Sequence, residues 1–292
     1  PAMATPLQAD GVTVNTAVLP TLINFLVDRN VSGLFVAGTT GEGILLDIDQ
    51  RQRLASATAK AVNGRLPIIL HVGANRTDQT LKLARHAAEI GVAAIAVVTP
   101  YFYGLDDDGL ATYYQTIAAA VPDTPLLLYD IPQMAGNGIS PTLLIRLAET
   151  IPTLAGMKTS RPDAQAVRQL LSAAPDNLIV LAGNERIALA LLALGADGLI
   201  SGLSTAVPEP FVALTRAVAD GRLDDARQIQ AQINRLLAAM PAGARIGAIK
   251  QILAARGVNA GPAVPPRPMP ETAVWPALQA ILKEDPHAPA AV

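Results

Sequence analysis

The chain has no cysteine among its 292 residues and only three histidines. Without cysteine there are no disulfides, no thiolate metal ligands and no cysteine nucleophile, and the composition suits a reducing cytoplasm, which is the location we expect. The histidines, His71, His86 and His287, are far apart, and no segment has the spacing of a metal motif such as H-E-x-x-H. The sequence therefore predicts a protein that uses no metal ion and no other cofactor.

Strong charge of one sign and long apolar runs are also missing. Lys and Arg total 22 and Asp and Glu total 24, a formal net charge of -2, so we expect no surface for nucleic acid or for an anionic membrane. No apolar run reaches the roughly 18 residues of a membrane helix, and residues 1–6 lack the basic region and apolar core of a signal peptide. A soluble protein with a small-molecule partner is expected.

Apolar residues make up 51% of the chain and follow two alternating patterns. Short apolar runs indicate strands, and the longer amphipathic stretches between them indicate helices. Strands that are apolar on both faces and separated by helices pair in parallel, and eight such units close a (β/α)8 barrel. The predicted strands are 2–4, 33–37, 67–72, 93–98, 125–129, 154–158, 178–182 and 198–200. Predicted helices between them include 16–29, 49–62, 77–90, 109–120 and 164–173.

A doubly wound open sheet explains the alternation equally well. That fold normally has a glycine fingerprint after its first strand, and Thr5-Pro6-Leu7-Gln8 is not one. After Ser201 the strand pattern stops, and helical patterns cover 208–219, 223–240, 244–256 and 272–282, followed by a tail over 285–292. We therefore predict a barrel over 1–205 and, as part of the same domain, a C-terminal helical extension over 206–292.

Lys158 closes an apolar segment, residues 154–157, that is typical of a buried strand. An isolated ammonium costs several kcal/mol to bury, and loss of its proton leaves a neutral amine that attacks carbonyl groups to form a Schiff base. The alternative is a lysine paired with a carboxylate at the rim of a sheet. The other lysines fall in helical patterns where a long side chain can reach water: Lys60, Lys82, Lys250 and Lys283.

Polar residues follow several of the predicted strands. In a barrel of this type the chemistry lies where strands end and the loops to the next helices begin. The small residues and backbone N–H groups of Gly38-Thr39-Thr40-Gly41-Glu42 can approach a carboxylate closely. Taken singly, each strand end has a structural explanation, such as a tight turn or a tyrosine with a wet hydroxyl. Together they predict one site. The other strand ends are Tyr129-Asp130-Ile131-Pro132, Lys158-Thr159-Ser160, Gly183-Asn184-Glu185 and Ile200-Ser201-Gly202.

Four of these segments resemble the dihydrodipicolinate synthase/N-acetylneuraminate lyase superfamily of Schiff-base class I aldolases and dehydratases. The similarity in order and spacing spans nearly the whole chain, including the helical extension. The matching segments are Gly38-Thr39-Thr40-Gly41-Glu42, Thr99-Pro100-Tyr101, Tyr129-Asp130-Ile131-Pro132 and Gly156-Met157-Lys158.

The resemblance implies a role for each matching residue. Lys158 would form a Schiff base with the keto carbon of a pyruvyl group, and Tyr129 would shuttle the proton. Thr39 would belong to the proton relay, while Thr40 and the backbone of its loop, including Gly41, would bind the pyruvyl carboxylate. Ile200 would line the pocket wall behind the imine. The resemblance also implies a homotetramer.

Two departures from the synthase pattern concern the substrate. The synthases typically have an arginine shortly after the Tyr-Asn-x-Pro motif that binds the carboxylate of the aldehyde substrate, and Met134 stands at that place. Their second relay tyrosine is Phe102 here, next to Tyr103. Asp130 stands in place of the usual asparagine, without an interpretation from the sequence. Candidate residues for binding sugar hydroxyls are Ser160, Asn184, Glu185 and Ser204.

These departures favour a Schiff-base lyase that cleaves a 2-keto-3-deoxy sugar acid or condenses it from pyruvate, as part of carbohydrate metabolism. A dehydratase of such an acid, working through the same imine, is the first alternative. A 4-hydroxy-tetrahydrodipicolinate synthase is the second, and a non-catalytic pyruvate-binding barrel, which the missing relay tyrosine would suit, is the third. The sequence does not specify the chain length or stereochemistry of the substrate.

Overall fold

A computed structural model of the chain describes residues 1–284. Within this range strands and helices alternate, and the predicted (β/α)8 barrel with C-terminal helices is confirmed. The predicted tail over 285–292 lies outside the described residues. The strands are β1 (Leu34–Val36), β2 (Ile68–His71), β3 (Ala94–Val98), β4 (Leu126–Asp130), β5 (Leu154–Thr159), β6 (Ile179–Ala182) and β7 (Gly198–Leu199). The helices are α1 (Leu19–Val27), α2 (Ile48–Val62), α3 (Thr77–Glu89), α4 (Asp107–Ala120), α5 (Pro132–Ala135), α6 (Pro141–Thr150), α7 (Ala164–Ala173), α8 (Ala188–Ala193), α9 (Glu209–Ala219), α10 (Leu223–Ala238), α11 (Arg245–Ala255) and α12 (Trp275–Lys283).

The chain divides into two compact units. The first contains residues 1–66 and the chain from Ser201 onward, and the second contains residues 67–200. In the second unit, strands β2 to β7 each pair in parallel with the next strand along the chain. Every residue of β3 and β4 is buried, as expected for parallel strands covered on both faces.

Strand β5 contains an irregularity that its sequence explains. The pairing with β4 shifts so that Leu126 lies opposite Leu154 but Leu127 lies opposite Gly156. A Cβ on Gly156 would lie only 2.1 Å from the carbonyl oxygen of Ile179, so only glycine permits this approach of strand β6. The strand then continues in regular register to Lys158, which pairs with Tyr129 and Leu181.

In the first unit, the predicted strand over 2–4 forms only an isolated parallel bridge between Ala2 and Phe35. The amide of Ala2 donates to the carbonyl of Ser201 at 2.7 Å. The amide of Met3 donates to the carbonyl of Phe35 at 3.0 Å. The backbone therefore bonds on both sides as a strand does, but over too few residues to form a regular ladder.

Helix ends follow the side chains that cap them. Helix α4 begins two residues before the predicted start because the Asp106 carboxylate accepts from the amide of Gly109. The predicted helix over 16–29 divides into a 3₁₀ turn, Thr16–Val18, and helix α1. Helices α6 and α8, which follow β4 and β6 in the chain, were not named among the predicted helices. No helix within residues 1–284 has both the length and the hydropathy that a membrane crossing requires.

Lys250 corrects one prediction. It lies on α11, where it was expected to reach water, yet it is only 1% exposed. Helix α11 is buried on most of its faces, including Ile246, Ile249 and Leu253, so the usual polar face is missing and the lysine points into protein.

Candidate active site

Lys158 and Tyr129 lie side by side at the carboxyl ends of neighbouring strands. They are register partners on β5 and β4, and their side chains are 4% and 2% exposed. The Nζ atom of Lys158 lies 4.2 Å from the centroid of the Tyr129 ring. The structure thus places a buried amine against a buried phenol, as predicted.

His71 is a further buried residue of this site that the sequence did not single out. It ends β2 and is 3% exposed. Its ring meets the Tyr129 ring edge to face, with centroids 5.5 Å apart, so it fixes the plane of the tyrosine. Its position one residue before the end of the predicted strand over 67–72 was the available signal.

Asp130, which follows Tyr129, is fully buried and forms an ion pair with Arg161. The Nε atom of Arg161 lies 2.7 Å from Oδ2 of Asp130, and Nη2 lies 3.1 Å from Oδ1. The unusual aspartate at this position therefore has a partner, which lies on the segment that follows Lys158.

The loop after β5, which contains Ser160, contacts the loop after β6, which contains Asn184. A Cβ on Gly183 would lie 2.1 Å from Oγ of Ser160, so the glycine allows the two loops to approach. The Asn184 amide donates to the carbonyl of Arg161 at 3.3 Å and its oxygen accepts from the amide of Arg186 at 3.1 Å. The two side-chain groups of Asn184 that were predicted to bind a sugar therefore bond to the backbone and stabilise the loop.

Glu185 and Ile200 are both buried in the second unit. Glu185 opens a 3₁₀ turn, Glu185–Ile187, that Asn184 caps. The amide of Ile200 donates to the carbonyl of Ala182 at 2.8 Å, which holds its apolar side chain at the end of β7. An apolar residue held there can serve as a wall but not as a hydrogen-bonding group.

Thr39, Thr40 and Gly41 belong to the first unit, in the loop after β1. The loop turns sharply: the amide of Glu42 donates to the carbonyl of Thr39 at 3.1 Å, and the Thr5 hydroxyl donates to that of Gly41 at 2.5 Å. Within residues 1–284 the amides of Thr40 and Gly41 donate to no protein acceptor. Two such adjacent donors suit a carboxylate.

Glu42 ends the same loop, and its side chain attaches the loop to Lys250 and to the backbone of Val264. Its side chain and that of Lys250 are fully buried, with Nζ and Oε2 2.7 Å apart. Oε1 of Glu42 accepts from the amide of Val264 at 2.8 Å, and Lys250 also donates to the carbonyl of Pro262 at 2.7 Å. Burial lowers the pKa of Lys250, and the Glu42 carboxylate acts in the opposite direction. Sequence reasoning missed this pair.

Ser204, the last predicted candidate, lies in a 3₁₀ turn of the first unit. Its hydroxyl donates to the carbonyl of Ser201 at 2.9 Å, and its backbone amide donates to the hydroxyl oxygen of Ser201 at 2.9 Å. The residue is 5% exposed and its hydroxyl serves the turn.

The two departures from the synthase pattern lie at the surface of the second unit. Met134 on α5 is 58% exposed. Phe102 has a backbone φ of 80° and is 84% exposed, so the chain bends at this residue, and Tyr103 is exposed beside it.

Within the described part of the chain, no three His, Asp or Glu side chains are grouped so that they could bind a metal ion.

The model of the dihydrodipicolinate synthetase family matches residues 1–285. The chain belongs to this family. It is 36% identical over 233 residues to 4-hydroxy-tetrahydrodipicolinate synthase of Salinibacter ruber, covering 80% of this chain and 76% of the relative.

Solved structures of similar proteins have the same fold. One is a catalytic lysine mutant of the sialic acid aldolase of Ruminococcus gnavus, with a TM-score of 0.93, 29% identity and coverage of 97% of this chain and 94% of the other. Another is YagE of Escherichia coli K12 in complex with pyruvate, with a TM-score of 0.89, 25% identity and coverage of 97% and 96%. The enzymes of the dihydrodipicolinate synthetase family are lyases, and this chain is a lyase of that family.

Proposed function

We propose that this lyase is a Schiff-base aldolase that cleaves a 2-keto-3-deoxy sugar acid to pyruvate and an aldehyde, or condenses the two. The observation that supports this most directly is the buried contact of Lys158 and Tyr129 at two strand ends. An amine and a phenol in contact are the two groups that imine formation and proton transfer require.

The reaction begins when the neutral amine of Lys158 attacks the C2 keto carbon. The Tyr129 phenol then gives its proton to the C2 hydroxyl of the carbinolamine, which leaves as water and gives a protonated imine at C2, next to C3, and a phenolate. The C3–C4 bond breaks, its electron pair forms the enamine, and the phenolate takes the proton of the C4 hydroxyl as C4 becomes an aldehyde. The enamine takes a proton at C3, and water hydrolyses the imine to release pyruvate and the free amine.

The remaining residues would bind the substrate around this imine. From the family resemblance, Thr39 would belong to the proton relay, and Thr40 with the backbone amides of its loop would bind the pyruvyl carboxylate. Ile200 would form the apolar wall. Of the sugar-binding candidates, Ser160 is favoured over Asn184, because the side-chain amide of Asn184 already has backbone partners on both sides. The carboxylate of Glu185 would accept a hydrogen bond from a sugar hydroxyl.

Two names among the relatives support different substrates. The sialic acid aldolase shares the fold over 97% of this chain and supports cleavage of a sugar acid. The Salinibacter ruber relative is more similar in sequence and supports a second candidate, synthesis of 4-hydroxy-tetrahydrodipicolinate from pyruvate and aspartate semialdehyde. We favour cleavage of a sugar acid, because aspartate semialdehyde has a carboxylate that Met134 cannot bind.

Arg161 does not replace the missing arginine in this proposal. Its Nε and Nη2 groups donate to Asp130, and Nη2 also donates to the carbonyl of Ile139 at 2.9 Å. Losing a bidentate contact to a carboxylate costs on the order of a hundredfold or more in specificity. Homotetrameric assembly and a cytoplasmic location, both predicted from the sequence, belong to the same proposal.

A screen of purified protein against 2-keto-3-deoxy acids of five and six carbons, with products identified by mass spectrometry, tests the assignment. We expect pyruvate and an aldehyde from at least one acid, and weak or absent condensation of pyruvate with aspartate semialdehyde. A keto acid that has lost one water molecule and kept its whole carbon chain would indicate a dehydratase. Efficient condensation with aspartate semialdehyde and no reaction with any sugar acid would establish the synthase instead.

A further inference from the structure

Asp130 is the centre of a buried polar cluster directly behind the Lys158 and Tyr129 pair. It is the last residue of β4 and is fully buried. Oδ1 accepts from Nη2 of Arg161 at 3.1 Å and from the amide of Ile139 at 2.9 Å. Oδ2 accepts from Nε of Arg161 at 2.7 Å and from the hydroxyl of Thr159 at 2.8 Å. Four donors therefore meet one carboxylate.

This cluster joins the ends of two strands. Asp130 and Thr159 are register partners, one step beyond the register pair of Tyr129 and Lys158. The carbonyl of Asp130 also accepts from the amide of Ser160 at 2.9 Å. The residues that follow the phenol and the amine are thus held to each other through both backbone and side chains.

The cluster also fixes the loop that follows β4. Arg161 donates through Nη2 to the carbonyl of Ile139 at the far end of that loop. Gln133, at its near end, donates to the carbonyl of Ser160 at 2.7 Å. A Cβ on Gly138 would lie 2.8 Å from Nη2 of Arg161, so the guanidinium packs directly on this glycine.

The charge at position 130 is required by the geometry. Both carboxylate oxygens accept from the arginine, so an asparagine would turn an NH₂ group toward one guanidinium N–H in either orientation. The bidentate contact needs an anion with two acceptor oxygens. The aspartate and the arginine are therefore a matched pair.

We propose that Asp130 and Arg161 are positioning residues that hold Lys158 and Tyr129 at the separation that imine chemistry requires. The inference rests on the proposed Schiff-base function and deepens it. Proton transfer at C3 of an imine tolerates displacement of the reacting groups by only a fraction of an ångström, and misplacement by about 1 Å costs roughly a hundredfold in rate. Neither residue touches the substrate in this scheme.

Exchange of the C3 protons of pyruvate in deuterated water provides a test without the natural substrate. Exchange needs imine formation on Lys158, loss of a C3 proton and return of a deuteron, and it is followed by NMR. We expect Asp130→Asn to slow exchange roughly ten- to a hundredfold. The pyruvate concentration that half-saturates borohydride trapping on Lys158 should change less than about threefold, because the carboxylate-binding groups are intact.

Two further variants complete the experiment. Asp78→Asn is the matched control, because Asp78 has the same two-point contact with Arg76, at 3.0 and 2.8 Å, on an exposed surface. Its exchange rate should equal that of the wild type. Gly138→Ala adds a methyl group against Arg161 without removing a charge, and should slow exchange in the same direction but less. It also provides the answer if Asp130→Asn does not fold.

The outcomes separate the two proposals. If the wild type neither exchanges pyruvate protons nor forms a borohydride adduct on Lys158, the Schiff-base function fails and the positioning role fails with it. If the wild type does both, and folded Asp130→Asn or Gly138→Ala exchanges as fast as the wild type, the positioning role alone is wrong. Loss of thermal stability without a change in exchange rate has the same meaning.

Discussion

The two units of the molecule each contain one buried lysine, and the two lysines have different surroundings. In the second unit, Lys158 ends a strand and lies against the ring of Tyr129. In the first unit, Lys250 lies on a helix and its ammonium is 2.7 Å from the carboxylate of Glu42, with a carbonyl as a further acceptor. Burial alone therefore does not identify a nucleophile, because a carboxylate stabilises the protonated amine and a protonated amine does not attack carbonyl carbon.

Trapping the imine tests most directly whether Lys158, and not Lys250, is the nucleophile. Borohydride with pyruvate should give one adduct per chain, on Lys158 and not on Lys250, as located by peptide mass spectrometry. Lys158→Met should abolish the adduct and lower turnover by roughly four orders of magnitude or more, as expected for loss of a nucleophile. An adduct on Lys250 in the wild type would show that the distinction between the two lysines is wrong. A metal chelator, added as a further control, should leave trapping and turnover unchanged.

Removing the phenol beside Lys158 should have the next largest effect on turnover. Tyr129→Phe keeps the ring beside Lys158 but deletes the proton shuttle. We expect turnover of the substrate found in the screen to fall by roughly 10²- to 10⁴-fold, while borohydride trapping of pyruvate continues at a lower rate. Turnover close to that of the wild type would reduce Tyr129 to a packing residue.

Breaking the ion pair of Lys250 and Glu42 should lower the stability of the fold and have little effect on adduct formation at Lys158. Lys250→Met leaves the Glu42 carboxylate buried without its ammonium, which costs about 3–5 kcal/mol in the free energy of unfolding. The double variant Lys250→Met with Glu42→Gln should recover much of this loss, because no uncompensated charge remains. Urea unfolding measures both effects, and folded Lys250→Met should still form the adduct on Lys158. Unchanged stability in the single variant would mean that the pair contributes nothing.

Another ion-pair group in the first unit is expected to contribute less to stability than the pair of Glu42 and Lys250. Glu209 pairs with Arg256 and with Arg29, and its side chain is 24% exposed. Burial acts to raise the pKa of Glu209, but the hydrogen bond and charge of Arg256 outweigh it and lower the pKa below the ordinary value of 4.5. The pair therefore stabilises the fold above that value, and its contribution is lost as the pH falls through the lowered pKa.

We expect Glu209→Gln to lower the melting temperature at pH 7 by less than Lys250→Met does. The difference between Glu209→Gln and the wild type should shrink as the pH falls from 5 toward 3. Thermal unfolding followed by circular dichroism over this pH range is the measurement. A difference that grows at low pH would contradict the sign of the shift.

The sequence predicted the fold and the position of the Lys158 and Tyr129 pair because both depend on local pattern. Apolar runs of strand length fix where strands end, and parallel strands bring their carboxyl ends to one edge. Lys250 was misjudged for a complementary reason. Its helix contains enough polar residues to suggest an exposed face, and its partner Glu42 is distant in the sequence.

The structure also explains residues that sequence pattern left without a role. Asp130 could not be interpreted alone, because its meaning depends on Arg161 lying within hydrogen-bonding distance. His71 was one of three scattered histidines until its ring was found against Tyr129. The substrate is not determined by strand pattern at all, because it depends on loop side chains such as Met134 and Ser160, whose directions only a folded chain defines.

The register pairing of Tyr129 with Lys158 has a consequence for how new enzymes arise from this scaffold. Adjacent strands are about 4.8 Å apart whatever loops connect them, so the sheet sets the spacing of the two backbones, and the Asp130–Arg161 pair is proposed to refine the position of the amine and the phenol. In the proposed mechanism, changes in the loops after β4, β5 and β6 that keep the Asp130–Arg161 pair would alter which aldehyde is accepted and leave the amine and the phenol in place. A barrel built in this way would allow its specificity to change in the loops separately from the proposed chemistry at the strand ends.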